Sequence, residues 1–124
     1  DISLPLSAIP EFLRAAPDVV ARLGDFRINA FGHLGDGNLH FNVFPPAGRA
    51  ISNYPEETRV RVASAIYDLV AEFDGSFSAE HGIGLEKKAY LEYTRSQAEI
   101  ELMRKTKRMM DPANILNPGK LFDL

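Results

Sequence analysis

Along the chain, the spacing of apolar positions switches repeatedly between the period of a strand and that of a helix. Residues 1–5 (DISLP) alternate and predict a short strand. Ser7 is placed to cap a helical stretch carrying Ile9, Phe12, Leu13 and Ala16 at helical spacing; Pro17 should kink or restart it, and Gly24 should close it. Residues 26–32 (FRINAFG) and Asn38–Phe44 (NLHFNVF) both alternate with period two. They are joined by LGDG, a bend suited to a hairpin. Pro45, Pro46 and Gly48 end the second strand and open a loop.

Pro55 starts the next predicted helix, with Val60, Ala63, Tyr67, Val70 and Phe73 as its buried stripe. Residues 76–79 read as a further strand, running into Glu80-His81-Gly82-Ile83-Gly84. A last helix begins at Ser96, with Glu99 in capping-box spacing, and has Arg104, Lys105, Lys107 and Arg108 toward its C-terminal end. Asp111-Pro112 stops it, and Asn117-Pro118-Gly119-Lys120 forms a turn. Strand, helix, strand, strand, helix, strand predicts an α+β ferredoxin-like sandwich, an antiparallel sheet with helices on one face, followed by a C-terminal helix and tail.

A chain of 124 residues is the size of one domain, and 45% hydrophobic with 25% charged residues is the composition of a folded one. The net charge of -3 and the scattered basic residues exclude a stripe for nucleic acid. No apolar run is long enough for a transmembrane segment. Without cysteine there is no disulfide, thiolate ligand or cysteine nucleophile, and a cytoplasmic origin fits. The start at Asp1, with no initiator Met and no leader, leads us to expect a piece of a longer polypeptide.

The candidate chemistry lies in three histidines, His33, His40 and His81. On a strand, Asn38, His40, Asn42 and Phe44 share one face, and Leu39, Phe41 and Val43 share the other. If the apolar set packs on helices, the Asn-His-Asn set faces solvent or a ligand. The hairpin bend can bring His33 beside His40. Two imidazoles with a carboxylate would make a first shell for a divalent metal with open positions. Glu80 supplies that carboxylate and His81 an imidazole for proton transfer, provided the backbone turns at Gly82 and Gly84 so that both reach one site. A lone histidine is more often a surface or core residue, and Asp36 in LGDG shapes a turn more readily than it binds metal.

Three stretches in this order, residues 32–40 (GHLGDGNLH), residues 80–84 (EHGIG) and residues 111–120 ending in NPGK, resemble the C-terminal domain of the FAD-linked oxidases. That family includes D-lactate dehydrogenase, the glycolate oxidase flavin subunit and D-2-hydroxyglutarate dehydrogenase. The opening DISLP is similar too, and the landmarks span essentially the whole chain. The resemblance implies that His33, His40 and Glu80 are metal ligands, commonly for zinc, and that His81 is the general base. It implies a substrate contact for Asn42 and a flavin-side position for Asn117. It further implies that FAD is held mainly by a flavin-binding domain upstream in the same polypeptide, with basic residues there for the substrate carboxylate. The activity implied is oxidation of a small D-2-hydroxy acid to the 2-oxo acid, with the hydroxyl proton taken by His81, metal assistance at the hydroxyl oxygen and hydride transfer to FAD. On that reading the chain alone binds no flavin and is inactive. A non-catalytic ferredoxin-like binding module and a metal-dependent hydrolase remain open alternatives on the residues alone.

Overall fold

The computed structural model describes all 124 residues, which form two compact units, residues 1–81 and residues 82–124.

Unit 1 is built on an antiparallel sheet of β1 (Ile2–Ser3), β2 (Arg27–Phe31) and β3 (Asn38–Phe44), in the order β1-β3-β2. Helix α1 (Ile9–Ala21) connects β1 to β2, and α2 (Glu56–Glu72) follows β3. Period-two alternation decides how the layers stack. Leu39, Phe41 and Val43 of β3, with Ile28 and Ala30 of β2, turn toward the helices and join Phe12, Ala16 and Val20 of α1 and Ile66, Leu69 and Val70 of α2 in one core. Phe12 is fully buried at its centre, its ring edge-on to Phe41 at 5.4 Å and to Phe73 at 6.0 Å.

The expected fourth strand is reduced to one bridge. Ser76 pairs antiparallel with Ser3 through two hydrogen bonds of 2.8 Å, which places it outside β1 in the order of a ferredoxin-like sheet. Beyond it the ladder stops, because the Ser76 hydroxyl bonds the Ser78 backbone and turns the chain, a side-chain alternative to strand pairing. Three further expectations are corrected. Ser7 does not cap α1; it sits in a short 3-10 turn, and Pro10 occupies the first turn of the helix where a missing N–H costs nothing. Pro17 lies inside one continuous α1, so the helix is not restarted there. The buried stripe of α2 runs through Ile66, Leu69 and Val70, leaving Val60 exposed at the N-terminal end of the helix.

The β2–β3 connection depends on two glycines. A side chain at Gly32 would lie 2.5 Å from the Asn38 carbonyl oxygen, and one at Gly37 would lie 2.3 Å from that of Leu4. Gly37 also takes the left-handed conformation (φ 74°) that closes the turn at residues 34–36.

Unit 2 contains a 3-10 segment (Lys88–Tyr93) and helix α3 (Gln97–Met110), packed through Leu91, Ile100 and Phe122. The predicted capping box is present. The Ser96 hydroxyl accepts from the Glu99 amide, and the Glu99 carboxylate accepts from the Ser96 amide at 2.7 Å. Asp111 ends α3 and is buried, its carboxylate accepting from the Lys107 ammonium and from the amides of Ile115 (3.0 Å) and Leu116 (2.9 Å). Lys107 also donates to the Leu116 carbonyl, so the pair ties down the segment leading to Asn117. No helix in either unit is long and apolar enough to cross a membrane.

Two outcomes follow. Phe12→Ala should destabilise the fold by about 3–5 kcal/mol, the range for a buried aromatic removed from a core, read by urea unfolding. The second concerns acid. The Lys107 hydrogen bond, then the Leu116 and Ile115 amides, hold the Asp111 carboxyl below its ordinary value. Its contribution is therefore present above the unfolded-state value, about 3.9, and is lost as pH falls through the lower folded value. Bonds from Ser96 lower Glu99 in the same sense. In thermal melts taken at decreasing pH, Asp111→Asn should flatten part of the acid limb and leave the part due to Glu99.

Candidate functional site

The face of the sheet opposite the helices carries the candidate residues. The β2–β3 register sets Phe31 opposite His40, Asn29 opposite Asn42 and Arg27 opposite Phe44. These are the residues that alternation turns away from the core, and Arg27, Asn29, Phe31 and Phe44 are exposed. Asn42 and His40 are half-buried on this face, the Phe31 ring lying 5.2 Å from that of His40. Asn38, at the same parity, is buried, and its Oδ1 has no hydrogen-bond partner.

Residues 79–81 approach His40 from the segment after Ser76. Glu80 Oε1 lies 3.0 Å from His40 Nε2, and the His81 ring stacks on that of His40 with centroids 5.4 Å apart and planes 24° from parallel. His81 Nε2 is 3.9 Å from the same Glu80 oxygen. Adjacent residues of an extended strand could not both do this, since their side chains point to opposite faces. The backbone is curled instead, and Gly82 continues the curl in the left-handed region (φ 76°).

What holds the curl is Asp1. Its carboxylate accepts three successive backbone amides, those of Ala79 and His81 on Oδ2 and that of Glu80 on Oδ1, each at 3.1 Å. The side chain is 3% exposed, against 43% for Glu80 and 63% for His81. Three N–H donors satisfy a buried carboxylate that would otherwise be costly to desolvate. Asp1 also lies 4.0 Å from His81 Nδ1. One ligand-capable atom from each of Asp1, His40, Glu80 and His81 lies within 4.8 Å of the others.

The structure thus brings together His40, Glu80 and His81, which the sequence singled out, and adds Asp1, which it did not. Its place follows from the β1–β3 register, which the sequence alone does not give. With Ile2 paired to Leu39, one further step of the antiparallel register sets Asp1 opposite His40. His33 lies outside this group. It is exposed on the turn after β2, its carbonyl accepting the amides of Asp36 and Asn38, and Phe31 rather than His33 faces His40 across the pair. Asp36 is exposed in that turn. Asn117 belongs to unit 2, exposed and in the left-handed conformation (φ 49°) at the turn that Asp111 and Lys107 secure. An apolar recess of about 260 Å³ also opens in unit 1, but it is lined by Phe41, Val43, Ile66 and Tyr67 on the helix side of the sheet.

Residues 1–121 match the C-terminal domain of the FAD linked oxidases, and the chain belongs to that family. Among curated relatives it is similar to D-2-hydroxyglutarate dehydrogenase of Xanthomonas citri pv. viticola, 45% identical over 124 residues, covering 99% of this chain and 26% of the relative. The enzyme of the same name from Stutzerimonas stutzeri is 42% identical over 123 residues, 98% of this chain and 26% of the relative. Glycolate oxidase subunit GlcD of Bacillus subtilis is 41% identical over 123 residues, 98% of this chain and 25% of the relative. The chain therefore spans about a quarter of the length of these relatives.

Proposed function

We propose that residues 1–124 form the substrate-side part of an FAD-dependent enzyme that oxidises a D-2-hydroxy acid to its 2-oxo acid. The observation that carries this reading is the convergence of Asp1, His40, Glu80 and His81 on the open face of the sheet, in a chain of the FAD linked oxidase C-terminal family. Relatives named for D-2-hydroxyglutarate and glycolate favour a small 2-hydroxy acid, D-lactate included, as the substrate class.

Imidazole and carboxylate donors gathered within 4.8 Å fit a divalent cation such as zinc by their chemistry. His40 Nε2 and Glu80 Oε1 are the atoms that would hold it; the family resemblance adds His33, which lies outside that group, as the third ligand. A cation there supplies Lewis acidity toward the hydroxyl oxygen of the substrate. FAD, held mainly by a flavin-binding domain elsewhere in the same polypeptide, supplies the two-electron acceptor.

The chain's own residues do the rest. His81 takes the hydroxyl proton at Nε2, the nitrogen on the Glu80 side of its ring. As that proton leaves, the C2 hydrogen departs with its electron pair and the C2–O bond becomes a carbonyl. Asn42, two residues along β3 on the same face as His40, orients the substrate by hydrogen bonding. The exposed Phe31 ring gives the site an apolar edge beside the His40 ring. Asn117 contributes on the flavin side.

Two measurements test this. In zinc or manganese titrations of the chain, His40→Ala should weaken binding at least about tenfold; equal affinity would remove His40 from the ligand set. In the full-length flavoprotein, His81→Ala should retain FAD and metal while hydride transfer slows by ~10²–10⁴-fold. Loss of metal together with activity would make His81 a ligand instead of the base.

A further inference from the structure

We infer that Asp1 is a positioning residue whose carboxylate holds the backbone of residues 79–81 in the curl that presents Glu80 and His81 to His40. This rests on the proposed reading of that group as the reacting centre.

Both Asp1 oxygens are already engaged. Oδ2 accepts from the amides of Ala79 and His81, and Oδ1 from that of Glu80. In an extended strand successive N–H groups alternate in direction, so three in a row on one carboxylate require a concave backbone. Such a concavity selects an anion, and the carboxylate of Asp1, the residue before β1, fills it. The burial pattern separates the roles. The Asp1 side chain is enclosed by backbone at 3% exposure, whereas Glu80 and His81 project outward at 43% and 63%. Asp1 therefore acts on the chemistry through the two side chains it orients, and is not the group that meets substrate.

Side-chain length matters here. Asp1 lies on the position next to Ile2, whose partner Leu39 precedes His40, so the carboxylate emerges beside His40 of the central strand. Asparagine at this position keeps the shape but turns an NH2 group toward amide donors. Glutamate keeps both acceptor oxygens and the charge on a longer stem.

The test uses the full-length flavoprotein and, in parallel, the chain loaded with cobalt(II). Asp1→Asn and Asp1→Glu are compared with wild type, with Glu80→Gln and His81→Asn as references, all below their melting temperatures. Asp1→Asn should lower kcat by about 10–100-fold with little change in KM, the range for groups that orient functional side chains. It should also shift the visible cobalt bands, and Asp1→Glu should recover part of the loss. Wild-type kcat and an unchanged cobalt spectrum in Asp1→Asn, whatever its melting temperature, would reduce Asp1 to a structural contact. Wild-type activity in Glu80→Gln and His81→Asn as well would overturn the reading of the whole site. Should Asp1→Asn not fold, amide hydrogen exchange on the wild-type chain decides alone. Slow exchange at Ala79, Glu80 and His81 supports the role, and exchange at the rate of an open loop overturns it.

Discussion

The antiparallel pairing of β2 (Arg27–Phe31) with β3 (Asn38–Phe44) determines which side chains of unit 1 can meet. Because the side-chain period of a strand is two, a slip of one residue would turn His40 and Asn42 into the core and push Leu39 and Phe41 into solvent. The core opposes that slip strongly. Leu39 and Phe41 are buried against Phe12, Ala16 and Ile66, and each large apolar side chain in such a position is worth about 1.5–3 kcal/mol. The energy that sets the register is thus apolar and lies on the helix side, while the groups it aims lie on the other. A scaffold of this kind can carry polar chemistry on one face without weakening its core.

The second constraint is electrostatic and local. Glu80 and His81 belong to no helix and no strand, and hydrophobic burial does little to hold them. Their placement relies on hydrogen bonds from three amides to the Asp1 carboxylate, supported by the single Ser3–Ser76 bridge just before them. Bonds to an ionised acceptor are roughly twice as strong as neutral ones, which suits a segment with so few other contacts. The absence of a full fourth strand then has a physical consequence. Amides that a ladder would have consumed are free to converge on one carboxylate, and the side chains between them are free to face His40.

Elements whose signals are local were legible in the sequence. The alternation over Asn38–Phe44, the Ser96–Glu99 capping box and the end of α3 at Asp111 depend on neighbours within four residues. The candidate residues His40 and His81 were legible because the chain has three histidines in all, and Glu80 because it adjoins one of them. Features decided by distant partners were not. Val60 fits the helical period of α2, but the core lies further along that helix at Ile66, Leu69 and Val70. Ser7 has capping chemistry, yet the chain enters α1 through a 3-10 turn. Asp1 reads as an ordinary strand residue, because its bonds cross 78 to 80 residues of chain. The place of His33 depends on how the turn at residues 34–36 folds back, and strand periodicity says nothing about that.

We propose that the open face of unit 1 is a metal-assisted reacting centre organised by the sheet register and the Asp1 carboxylate. Anomalous diffraction from crystals of the chain grown with zinc tests it most directly. The account predicts a zinc peak bonded to His40 Nε2 and to a Glu80 carboxylate oxygen at about 2.0–2.2 Å, with the Asp1 carboxylate still receiving the amides of residues 79–81. Zinc bound elsewhere on the chain with this group empty, or an Asp1 carboxylate drawn off those amides to ligate the ion, would contradict it.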